Sequence, residues 1–218
     1  MRRPRTWYEY GDRLYKKAEI RIEKIFRRAR LLLPYDQINQ MGGAEITRTY
    51  VYNLYRRLKK VNRECFEDIY EYVYVMAYEE AKGEKPKKIP RKRVDLILKA
   101  YNPVTKYVYI QECERKQSRM FEALMADAGK YYATEDDFKK AKKYWLNMTK
   151  QYFIEAEDDA SKDAYNDAGL WRVRWMTEQD DRVCLVCRER HGRKYTLDKV
   201  PPKPHWNCRC WLVPIGGA

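Results

Sequence analysis

Cys184-Leu-Val-Cys187 and Pro204-His205-Trp206-Asn207-Cys208-Arg209-Cys210 gather four of the six cysteines and one of the two histidines near the end of the chain. A two-residue gap lets both thiolates of a pair face one ion from a tight turn, and His205 and Cys208 repeat the gap of Cys184 and Cys187. Two pairs of soft or borderline ligands suit a tetrahedral Zn²⁺ with no position left for a substrate. The predicted ligands are therefore Cys184, Cys187, His205 and Cys208. Cys210 can replace Cys208, because an x1 gap also brings both sulfurs near one turn, and His191 is a weaker substitute for Cys187. A disulfide is the competing use of these thiols. No secretory signal opens the chain, since Met1-Arg-Arg-Pro leads into no apolar run. Cys65 and Cys113 stand alone and read as small buried hydrophobes.

The elements that must position these residues are mostly helical. Leu14, Ala18, Ile22, Ile25, Ala29 and Leu32 recur every three or four residues, which predicts a helix from about Gly11 to Leu33, stopped by Pro34. After a loop at Met41-Gly42-Gly43, a longer helix should run from about Ala44 to Lys82. Its stripe is Tyr50, Leu54, Leu58, Val61, Cys65, Ile69, Tyr72 and Met76, with steps of four, four and three that keep it nearly straight along the helix. Packing against the first helix as a hairpin is the simplest use of that face. Gly83 to Pro90 breaks the pattern. Val94, Leu96 and Leu98 then alternate with polar residues before Asn102-Pro103 and Tyr107-Val-Tyr-Ile110, which predicts a β-hairpin. A helix follows from Glu112 to Ala128, ended by Gly129. Thr134 is the expected N-cap of another, striped by Phe138, Ala141, Trp145, Met148, Tyr152, Ala156, Ala160, Ala164 and Ala168. Trp171, Val173 and Trp175 share one face of a short strand, and Gly192 to Leu197 offers a second. Trp171, Trp175, Trp206 and Trp211 should shield the metal.

The chain thus reads as α+β, mainly α. It has long N-terminal helices, a β-hairpin, further helices and a small C-terminal β lobe with a structural zinc site. Its expected divisions are 1–90, a helical region for docking a partner; 91–133, hairpin and helix; and 134–218, a helix with the zinc-stapled lobe. A unit as small as this lobe has few other sources of stability, and zinc can supply roughly 10–16 kcal/mol of apparent binding free energy.

Composition narrows the function classes. The 218 residues can bury a sizeable core. Charged residues make up 36% and mean hydropathy is −0.87, so no segment is apolar enough to span a membrane. Twenty tyrosines are too many for a disordered chain. A net charge of +14 favours a polyanion or an acidic protein surface as neighbour, without choosing between them. Lys87, Lys88, Arg91, Lys92 and Arg93, at the hairpin's entry, are the local candidates for phosphate contact, and equally resemble an ordinary exposed linker.

From about Ile154 to Pro214 the chain resembles the minor head, or head-morphogenesis, proteins of tailed bacteriophages, including Mu-like phages. The resemblance lies in Glu157-Asp-Asp-Ala-Ser-Lys-Asp-Ala-Tyr-Asn-Asp-Ala-Gly169 and in Trp175-Met-Thr-Glu-Gln-Asp-Asp-Arg-Val-Cys184. It continues through Cys187, Gly192 and Pro202-Lys-Pro-His-Trp-Asn-Cys-Arg-Cys210. Lys203 departs from the pattern by separating two prolines, and His191 stands where the family often has Asp. The first 110 or so residues carry no matching motif. The resemblance implies a non-enzymatic virion protein attached to the portal protein inside the capsid, made in the host cytoplasm during assembly. It would aid procapsid assembly, with major capsid or scaffolding protein as further contacts, and would touch packaged or exiting double-stranded DNA without reading its sequence.

Two other readings compete. A zinc-containing nuclease of His-Asn-His type is suggested by Cys-x2-Cys with His205 and Asn207, but it needs an open metal position and a further general base. Two histidines in all do not provide them. A free-standing zinc module that binds nucleic acid is suggested by the charge, but no groove-reading helix follows the cysteines.

Overall fold

The computed structural model describes residues 5–127 and 130–216. Three long helices carry it. Helix α1 (Arg5–Leu31), α3 (Gly43–Lys82) and α6 (Tyr131–Asp167) pack on one another, a single turn α2 (Tyr35–Ile38) leads from α1 into α3, and α5 (Tyr109–Ala126) lies against α3 and α6. At about 1.5 Å per residue, the 40 residues of α3 make a rod of roughly 60 Å. Gly11 is buried, and a Cβ there would meet Ile69 of α3 and Phe153 of α6 at ordinary contact distances, so all three helices meet at that point.

The fold class predicted above is the one observed. Gly42 and Gly83 flank α3 with φ of +85° and +75°, the left-handed region that glycine enters without a steric penalty. The predicted stripe on α3 is only part of what is buried. Leu54, Leu58, Val61, Cys65 and Ile69 are buried, but so are Tyr55, Phe66, Tyr70, Val73 and Tyr74, whereas Tyr50, Tyr72 and Met76 are half-buried. One partner would cover one stripe; α3 has α1, α5 and α6 around it, so a broader arc goes inside. On α6 the predicted positions fit closely, with Phe138, Trp145, Met148, Tyr152, Ala156, Ala160 and Ala164 all buried.

Two predicted details are corrected. Residues Val94–Lys99 form a helix, α4, entered through a 3-10 turn at Arg91–Arg93, and not a strand. The same letters that alternate at 94, 96 and 98 also offer the helical set 94, 97 and 98. Burying Val94, Ile97 and Leu98 together leaves Leu96 65% exposed. The hairpin shrinks to β1 (Tyr101–Asn102) and β2 (Tyr107–Val108), closed by the Asn102 side chain, which accepts from the amides of Val104 and Thr105. Thr134 does not cap α6. The helix begins at Tyr131, and the Thr134 hydroxyl donates back to the Lys130 carbonyl. The predicted stop at Gly129 lies outside the described residues.

The C-terminal lobe is a three-stranded antiparallel sheet in the order β4 (Lys194–Thr196), β3 (Arg172–Met176), β5 (Trp211–Pro214). Strand β5 was not predicted. It pairs Trp175 with Leu212 and Met176 with Trp211, directly after Cys210. Between β3 and β4 sits the short helix α7 (Leu185–Arg190), and a second 3-10 turn spans Leu197–Lys199. The buried apolar residues form one continuous cluster that runs from Leu14 in α1 to Cys187, Cys208 and Cys210 in the lobe.

Candidate metal centre

Two chain segments bring the sulfurs together. Cys184 is the N-cap of α7, its Sγ accepting from the Cys187 amide at 3.4 Å, so Cys187 falls in the first helical turn beside it. The second segment is the loop from Pro204 to Cys210 that leads into β5. It is turned by Asn207 at φ +56°, a conformation that asparagine tolerates better than most residues. The Asn207 amide donates to the Gln151 side-chain oxygen of α6, at 3.2 Å, which fixes that turn against the bundle.

Cys187 is the centre of the group. Its Sγ lies 3.5 Å from His205 Nε2 and 3.6 Å from Cys208 Sγ. The donor atoms of Cys184, Cys187 and His205 all lie within 4.8 Å of one another, as do those of Cys187, Cys208 and Cys210. A tetrahedron built on Zn–S of about 2.3 Å and Zn–N of about 2.0–2.1 Å has edges of roughly 3.8 Å between sulfurs and 3.6 Å between sulfur and nitrogen. The two distances to Cys187 match those edges, so each three-donor group is compatible with a Zn²⁺-sized ion, and of the four predicted ligands Cys208 falls in the group without Cys184 and His205. His205 is oriented for the task, because its Nδ1 lies 2.9 Å from the Trp206 carbonyl. A proton held there leaves Nε2 free to coordinate.

The sequence left Cys210 open as a ligand, and the geometry explains why. Its sulfur and that of Cys208 both belong to the group with Cys187, and neither belongs to the group that contains Cys184 and His205, so the two stand alike as the fourth donor. A hydrogen bond from Cys208, helped by the Lys203 ammonium, draws the Cys210 thiol down to about 5; the same bond, with burial, pushes Cys208 up. Burial pushes Cys187 up to about 12. His191 takes no part. Its Nδ1 accepts from the Thr177 amide at 3.2 Å and its Nε2 faces the Gln179 side-chain amide at 2.9 Å.

Lys203, which separates two prolines, is the most buried cation among the described residues, 3% exposed. Its ammonium lies 2.8 Å from Asp158 of α6, donates to the Cys210 carbonyl, and sits 5.1 Å from the centre of the Trp175 ring. A lysine between two prolines gives no sequence signal of burial. Its charge lowers the cost of ionising Cys208 and Cys210, thiols that must lose protons to bind a cation. A second pin is the fork of Arg209 onto both oxygens of Asp180, at 2.6 and 2.5 Å, which holds the Asp180 carboxyl down to about 2. The tryptophan shell is partial: Trp175 and Trp211 are buried, Trp206 meets Tyr144 of α6 edge-on, and Trp171 is 45% exposed.

A cavity of about 420 Å³ adjoins the loop, bordered by Tyr15, Lys150, Glu157, Arg182 and His205. The histidine on that cavity is the one whose Nε2 faces Cys187, and no carboxylate joins either donor group among the described residues.

The basic cluster behaves differently from the cysteines. Lys87, Lys88 and Lys92 are exposed. Arg91 pairs with Glu71. Arg93 bridges Asp163 and Asp167 of α6, at 3.4 and 3.0 Å, where Tyr70 and Tyr74 of α3 also donate to those carboxylates. Two of the five cations therefore stitch the turn before α4 to the bundle.

No protein-family model, curated protein or solved structure matches the chain.

Proposed function

We propose that the chain is a non-catalytic assembly protein whose C-terminal lobe is closed by one structural Zn²⁺ on Cys184, Cys187, His205 and Cys208. In this reading it is a minor head protein of a tailed phage, held at the portal within the capsid, where its positive charge faces double-stranded DNA. The observation that carries the reading is the junction of the two stretches on which the resemblance rests. The Asp180-Asp181-Arg182 turn and the His205-to-Cys210 loop are locked together by the Asp180–Arg209 fork, beside the two donor groups that share Cys187. A sulfur-rich tetrahedral set favours a closed site over a hydrolytic one, because hydrolysis needs a position for water. When bound, zinc would supply cross-linking and no reaction. The protein's own residues then fix the loop on α6 through Gln151 and Lys203.

Metal analysis of the purified chain should give one zinc per chain. Co-expression with a portal protein from the same genome should give a large, stable co-eluting complex. A chain that stays monomeric beside assembled portal rings, or that cuts plasmid DNA in Mg²⁺ or Mn²⁺ and stops on His205→Ala, defeats the reading.

A further inference from the structure

Far from the metal centre, α1 and α6 enclose a groove of about 460 Å³. Its α1 wall is the stripe Ile20, Lys24, Arg27; Leu31, one turn beyond Arg27 on the same helical face, lies outside the lining, so the stripe steps by four, three and four. The two apolar ends are open to solvent, Ile20 at 42% and Leu31 at 71% exposed, and Leu32 beside it at 59%. Phe26 and Phe138 form the floor. The opposite wall is Glu135, Lys139 and Lys142 of α6. Arg30 and Lys139 are both paired with Glu135, at 2.8 and 3.3 Å. Lys24, Arg27 and Lys142 outnumber the remaining carboxylate of the lining, Glu23.

We infer that this groove docks an acidic amphipathic helix of a partner protein. The spacing and the charge argue for that occupant together. From Ile20 to Leu31 the stripe spans eleven residues, roughly 16 Å or three helical turns at about 1.5 Å each, the length over which a guest helix presents apolar anchors at i, i+4, i+7 and i+11. Carboxylates flanking those anchors would meet Lys24, Arg27 and Lys142. Duplex DNA would use the cations but has no use for exposed Ile20 and Leu31, so a protein helix fits the whole face better. The inference does not rest on the phage reading, since it uses no residue of the lobe.

The test is fluorescence anisotropy with a labelled synthetic helix carrying leucines at those four spacings and glutamates between them. A scrambled peptide of equal composition and a labelled DNA duplex serve as the comparisons. The full chain should bind the patterned peptide, and the scrambled one at least about tenfold more weakly. Ile20→Ser with Leu31→Ser, and separately Lys24→Glu with Arg27→Glu, should each weaken binding about tenfold or more. All four positions are exposed, so circular dichroism should be unchanged. Equal binding of both peptides, no binding of either, or DNA binding that only the charge variants abolish, would overturn the inference.

Discussion

Cys187 is the residue on which the metal centre turns, because it is the only donor common to both groups of neighbouring ligands. Cys187→Ser should therefore lower zinc content from one per chain to near zero in metal analysis. Cys210→Ser should leave it near one if Cys208 completes the set. Lys203 makes a separate prediction. Lys203→Met strands the Asp158 carboxylate in the interior, and breaking a buried pair costs about 3–5 kcal/mol. Urea unfolding should show that loss. A Lys203→Met/Asp158→Leu double variant should recover most of it, since two apolar groups leave no unpaired charge. Glu155 titrates in an accessible range. Burial, first, and then Asp158 and Asp159 raise it from 4.5 to about 7. Between those values the folded chain holds a proton that the unfolded chain has released, so this group lowers stability as pH rises from about 4.5 to 7. Glu155→Gln should keep the bonds received from Gln151 and Asn102 and flatten that part of the melting profile relative to wild type.

At the scale of elements, the α3–α6 seam is held by tyrosines as well as by apolar packing. Tyr70 and Tyr74 donate to Asp163 and Asp167, and Arg93 closes the array from the turn before α4. Tyr70→Phe/Tyr74→Phe should cost about 1 kcal/mol per hydroxyl, measured by denaturant midpoint at unchanged slope. The long helices were readable in the sequence because their signal is redundant. Alanines at 156, 160 and 164 in register with Trp145 and Met148 leave only one helical face to bury. Short elements carry no such redundancy. Six residues at Val94–Lys99 satisfy two periodicities at once, and packing on α3, α5 and α6 decides between them. Four residues of β5 are too few to show any period. The cysteine spacing was legible because ligand geometry is local, whereas Lys203 and Gln151 act across sequence separations of 45 and 56, from Asp158 to Lys203 and from Gln151 to Asn207.

At the scale of the molecule, metal removal should act unevenly. The sheet β4-β3-β5 has only three short strands, and in the proposed reading the ion cross-links the loops beside it, whereas α1, α3 and α6 bury their own faces. Chelation should raise hydrogen exchange across 172–214 and leave the centres of α3 and α6 protected. One helix, α6, belongs to both regimes. Its first half borders the basic groove and its second half receives the lobe through Gln151 and Asp158.

The shared apolar cluster has one more implication, for dissection of the protein. Val173, Trp175 and Leu212 are at most 3% exposed and belong to the cluster that joins the lobe to the helices. A fragment starting after Gly169 would lose the packing of α6 on β5 and meet water with that apolar surface, and even saturating zinc would leave it prone to clump. The reverse truncation should be milder: a chain ending at Ala168 keeps its three crossing rods and should stay in solution. The small lobe is a passenger on the large one, and purification of the two halves separately is the simplest way to see it.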